Sequence, residues 1–161
     1  MSLTLVHSLI EQTVAELQRF LAVIETERQS LVSGKIDQLP AIAEKKSALA
    51  TRLATLESQR EHALHEAGFA AGREGVVAWL AANAPSSDPA IPAISALWQQ
   101  FITLAAEAKR ENETNGKLIG AQMQQNQQAL GLLLGKSPDA TTYDAGGQQK
   151  SMTGRRPLGS A

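Results

Sequence analysis

Apolar residues recur at intervals of three and four from the start of the chain. Leu3, Val6, Ile10, Val14, Leu17, Leu21, Ile24 and Leu31 form one narrow stripe, which predicts a single helix over residues 3–33. Phe20 widens the stripe, while Glu11, Glu16, Gln18, Glu25 and Arg28 occupy the opposite face. Ser33-Gly34 closes the helix, because glycine accepts the left-handed backbone that ends a helix. Asp37 then offers an N-cap, and Pro40 falls in a first turn, where no intrahelical N–H bond is lost. A second stripe of Leu39, Ile42, Leu49, Leu53, Leu56 and Leu64 predicts a helix over 38–67, with Lys46 and Arg60 on or beside it. The short connection makes the two helices an antiparallel hairpin. Gly68, Gly72 and Gly75 interrupt the pattern, and residues 73–84 read as a short amphipathic helix carrying Trp79 and Leu80.

Pro85-Ser86-Ser87-Asp88-Pro89 is a loop in which Ser87 or Asp88 can cap the next helix. That helix spans 91–134, the longest in the chain. Ile94, Leu97, Trp98, Phe101, Leu104 and Ala108 hold a heptad stripe in its first half. Continued at the same spacing, the stripe meets Glu111, Asn115, Leu118, Gln122, Gln125, Ala129 and Leu132. The seam therefore turns polar where a stable coiled coil would carry Leu or Ile. Gly116, Gly120 and Gly131 weaken it further, each by up to ~1 kcal/mol relative to Ala.

The fold class that follows is all-α. An antiparallel helical hairpin and a long C-terminal helix form an elongated coiled-coil-like bundle over residues 1–135, and 136–161 form a flexible tail. Composition sharpens this. The 161 residues suit one domain, and 26 alanines and 20 leucines with 4% aromatics favour helices over strands and a thin core over a large cavity. Fifteen basic against sixteen acidic residues leave a net charge of −1, so there is no basic footprint for nucleic acid. Without cysteine, disulfides, thiolate metal sites and thiol nucleophiles are excluded. The longest apolar run, Val76 to Ala82, is far too short to insert in a membrane. No Lys or Arg precedes Arg19, and Glu11 breaks the first apolar segment, unlike a secretory signal, so a cytoplasmic location is expected.

Little in the chain points to catalysis. His62 and His65 lie three apart, but carboxylate-bridged metal bundles need Glu-x-x-His pairs, and Gln59 stands three before His62. An exposed histidine pair is the simpler reading, and no metal or other cofactor is expected. Glu25, Glu27, Glu111 and Glu113 read as solvated helix charges. Gly72-Arg73-Glu74-Gly75 lacks the Lys-Ser/Thr of a phosphate-binding loop. Two other features stand out. Over 112–134, Leu118, Ile119, Met123, Leu130, Leu132, Leu133 and Leu134 are interleaved with Asn and Gln, as in a helix whose apolar face is completed by a partner's helix. Tyr143, the sole tyrosine, stands in the tail between Thr142 and Asp144 as a short-motif anchor would.

The same residues carry a family resemblance. Asn112-x-x-Asn115-Gly116-x-Leu118, Gln122-Met123-x-x-Asn126-Gln127-Gln128-Ala129-Leu130 and Thr142-Tyr143-x-x-Gly146-x-Gln148 resemble the C-terminal signature of the FlgN family. Glu44-x-Lys46-Ser47-x-Leu49 is also similar to the family pattern. The resemblance implies a cytoplasmic chaperone of bacterial flagellar type III export. Its clients would be the hook–filament junction proteins FlgK and FlgL, and the export-gate protein FlhA would receive the loaded complex. Mapped by motif, client contact falls on Asn115, Leu118, Ile119, Gln122, Met123, Asn126, Ala129, Leu130 and Leu133, and gate docking on Tyr143. The competing expectation is a static coiled-coil adaptor or self-assembling scaffold that uses the same stripes with no client hand-off.

Overall fold

In the computed structural model, which describes residues 3–134, the two N-terminal stripes become α1 (Leu3–Ser33) and α2 (Leu39–Glu66). Gly34 takes φ +71° and ends α1 in a paired C-cap: Lys35 N donates to Ser30 O at 2.9 Å and Gly34 N to Leu31 O at 3.4 Å. A 3-10 turn, Ile36–Gln38, leads directly into α2, with Pro40 at its start. Asp37 lies inside this turn and makes no cap bond, so the expected N-cap is displaced by the turn's own backbone. Gly68 ends α2 by the same device at φ +81°, with Phe69 N donating to Leu64 O at 2.9 Å. Phe69 then packs on the cluster that contains Leu64.

α3 (Gly72–Asn83) and α4 (Ala90–Leu133) complete the described elements, which include no strand. The Asp88 carboxylate accepts from Ala90 N at 2.9 Å and caps α4, as the loop composition indicates. The chain divides into two compact units, Met1–Lys117 and Leu118–Ala161.

One buried cluster joins all four helices of the first unit. Val6, Ile10 and Val14 of α1, Leu64 of α2, Val76 and Trp79 of α3, and Ile91, Ile94 and Trp98 of α4 are all buried together. Burying each of these side chains contributes about 1.5–3 kcal/mol before entropy is counted. The α3 backbone comes close to the preceding loop: a Cβ at Gly75 would lie 1.7 Å from Ala70 O, so only glycine fits. Two aromatics meet at one level, where Trp98 stacks on Phe101 at 4.7 Å and the buried Arg60 guanidinium lies 5.2 Å and 5.3 Å from the two rings. Arg60 thus occupies a core position of α2 because an aromatic pair covers it.

Candidate functional site

Beyond Trp98, α4 continues along α1 and meets a level of the bundle that is polar. Glu27 and Ser30 are buried on α1, and Asn115 on α4 is completely inaccessible. The Asn115 amide donates to Ile24 O and to Glu27 Oε2, both at 2.8 Å, and its carbonyl accepts from Arg28 Nε at 3.3 Å. Lys46 of α2 closes the other side of Glu27, with Nζ 3.1 Å and 3.0 Å from the two carboxylate oxygens. Arg28 also donates to Glu111, one turn before Asn115, and Arg110 Nε lies 3.2 Å from the same carboxylate. Six side chains on three helices thus form one connected network within the first unit.

The electrostatics follow from that connectivity. The hydrogen bond from Arg28, and secondarily that from Arg110, holds the Glu111 carboxyl below the usual carboxylate range. The same bond to Glu111 raises the Arg28 guanidinium above its ordinary value. Glu27 is only 5% exposed, so its charge depends on Lys46 and Asn115 in place of water.

This arrangement corrects one expectation and shows where one motif-mapped residue sits. Glu27 and Glu111 are not solvated helix charges; one is buried against Lys46, and the other is paired with Arg28. Asn115, mapped by motif to client contact, has its polar atoms directed at α1. The pairing emerges only when the two stripes are laid against each other. Glu27 lies three after Ile24 on the first stripe, and Lys46 lies between Ile42 and Leu49 on the second, so unlike charges occupy facing seams.

The remaining motif-mapped residues of α4 belong to the second unit. Leu118, Ile119 and Gln122 are half-buried, whereas Met123, Asn126, Ala129, Leu130 and Leu133 are exposed. Leu133 is 82% exposed and Leu132 74%, values far above those of the core leucines. With about 3.6 residues per turn, Ile119, Met123, Asn126, Leu130 and Leu133 share one face at 4-3-4-3 spacing. Leu118, Ala129 and Leu132 fall on a different side. No Asp, Glu, Lys or Arg occurs from Leu118 to Leu134. Tyr143 lies outside the described residues.

His62 and His65 are exposed, His62 lies 3.3 Å from Glu66, and among the described residues no three such groups could hold a metal ion. No described helix is long and apolar enough to cross a membrane.

Fold and surface define an all-α hairpin protein whose conspicuous exposed feature is a neutral, leucine-bearing length of helix. A family model described as FlgN protein matches residues 1–151, and the chain belongs to the FlgN family. The flagella synthesis protein FlgN of Salmonella typhimurium is 30% identical over 148 residues, covering 91% of each chain. That of Escherichia coli K12 is 28% identical over 148 residues with the same coverage. The Proteus mirabilis protein of that name is 26% identical over 152 residues, 92% of this chain and 93% of the relative. No solved structure matches the chain at a significant level.

Proposed function

We propose that this chain acts in flagellar synthesis as a cytoplasmic type III export chaperone. It binds the C-terminal helical segments of the junction proteins FlgK and FlgL, prevents their premature assembly or aggregation, and delivers them to FlhA. Membership of the FlgN family supports the flagellar role. The observation that carries the chaperone role is the exposure of Met123, Leu130 and Leu133 along a helix face with no charge. Exposed large apolar side chains in such a row mark an interaction surface more often than idle surface. Asn126 in the middle of the row lowers the stability of self-pairing while leaving a hydrogen-bonding group for a guest. A client segment that orders on binding spends part of its interaction energy on that ordering, which keeps affinity moderate enough for release. Tyr143 is the proposed gate anchor.

The test is size-exclusion chromatography with light scattering on the chain alone and mixed with C-terminal segments of the two junction proteins. A discrete heterocomplex, lost on Leu118→Asp or Leu130→Asp with helical signal retained, is the expected result. A concentration-dependent homo-oligomer with no heterocomplex would instead identify a self-assembling scaffold. Tyr143→Ala should leave client binding intact and weaken docking of the loaded complex to FlhA; equal affinity of the two complexes would remove that role.

A further inference from the structure

The exposed leucines of the second unit are spread too widely around the helix for one partner helix to cover. Successive side chains of an α-helix point about 100° apart, and a partner stripe covers about 100° of circumference. Leu132, Leu133 and Leu134 are 74%, 82% and 71% exposed and consecutive, so together they span about 200°. Leu134 still belongs to the turn, since its N–H donates to Leu130 O at 3.0 Å. Ile119, Met123, Asn126, Leu130 and Leu133 line one side. Leu132 stands nearly opposite Met123, on a side shared with Ala121, Gln125 and Gln128. On one arc between the two lies a strip of Gly120, Gln124 and Gly131, which has nothing apolar larger than glycine to cover, and on the other arc Leu118 and Ala129 join the two sides.

Resting on the chaperone reading, we propose that the client meets residues 118–134 on two sides at once, as a pair of helices that packs with α4 into a three-helix unit. Three observations select this occupant. The first side alone is a seam of five residues, about two heptads, short of the three to four that sustain a coiled coil. It also falls well below the roughly 20–30 residues that each partner contributes to a stable interface. A second copy using that seam alone therefore makes no stable dimer. The absence of charge from Leu118 to Leu134 means that a facing charge would be desolvated without a counter-charge. The facing stripes of the client pair are accordingly apolar with amides, and the Gly120–Gln124–Gly131 strip stays in water.

The experiment titrates the full chain with the full-length junction protein that forms the heterocomplex above, using wild type, Leu130→Asp, Leu132→Asp, Leu132→Ser and Gln124→Asp. Far-UV circular dichroism checks that each variant stays helical, and Leu132→Ser removes the leucine without adding a charge. Two-sided docking predicts that Leu130→Asp and both Leu132 variants each weaken binding by about tenfold or more, whereas Gln124→Asp stays within about twofold. Binding that is weakened by Leu130→Asp and unmoved by either Leu132 variant overturns two-sided docking and leaves the chaperone reading intact. No wild-type complex overturns both. A homo-oligomer broken by both Leu130→Asp and Leu132→Asp would put a second copy in the client's place and overturn the assignment of the occupant.

Discussion

Replacing Asn115 with alanine separates the two roles its position could have. The side chain makes three hydrogen bonds: to Ile24 O, to the Glu27 carboxylate and from Arg28. Two of the three involve an ionised partner, for which a net value of about 1.5–3 kcal/mol each is typical. The loss is less than their sum. Ile24 O is a backbone carbonyl within α1, Glu27 keeps Lys46 at 3.0 Å, and Arg28 keeps Glu111. A destabilisation of about 2–4 kcal/mol is therefore expected for Asn115→Ala, a large part of the ~5–15 kcal/mol that holds a domain together. In urea, with a slope of about 1–3 kcal/mol per molar, the midpoint should fall by on the order of 1–2 M. Asn115→Asp should be worse at neutral pH, because a carboxylate would then stand where the amide lies 2.8 Å from Glu27. Client affinity, measured where both proteins are fully folded, should change little in Asn115→Ala, because its polar atoms point at α1. An unchanged midpoint together with lost client binding would refute this reasoning and return Asn115 to the contact surface.

Three further outcomes follow from the same geometry. Lys46→Met removes the cation from a Glu27 side chain that is 7% exposed, and should cost about 3–5 kcal/mol in a denaturation series, with most of it recovered when Glu27→Gln is added. Because Glu111 is held below the usual carboxylate value near 4.5, the stability it contributes is present above that value and is lost as pH falls through it toward the lower folded-state value. Glu111→Gln should therefore flatten the acid limb of the stability–pH curve, and an unchanged limb would mean that the Arg28 pair carries no net stability. Since residues 118–134 bear no charge, the client dissociation constant should shift by less than about threefold between low and high salt; a steep salt dependence would place recognition on charged residues outside 118–134.

The hairpin was legible because its physics is local. A 3-4 stripe, a glycine and a proline at the right offsets are enough to place α1, α2 and their turn, and they did so within a residue or two. Asp88 was legible for the same reason, since a capping carboxylate acts on a backbone N–H two residues away. The polar level of the first unit was not, because charge type does not reveal solvation. Glu27 and Lys46 look the same in sequence as any exposed pair until facing stripes are laid against each other. Arg60 reads as a fault in the second stripe until Trp98 and Phe101 are placed over it. Those pairings join residues far apart in the chain, and no window of local periodicity contains them.

The motif itself shows the limit of carrying roles over by pattern. Asn112-x-x-Asn115-Gly116-x-Leu118 reads as one signature, yet the chain changes unit between Lys117 and Leu118. Asn115 lies in the first unit with all three of its hydrogen bonds going to α1, and the exposed leucines lie in the second. A stretch of sequence can therefore be distinctive because two unrelated demands meet there. One demand is a buried amide that can serve Glu27 and Arg28 at once, which a residue with only donors or only acceptors cannot do. The other is an apolar row left open in water, which selection for stability alone would remove. The first can be tested by denaturation and the second by titration with a client. Within one motif, then, a fall in stability and a fall in binding should come from different residues.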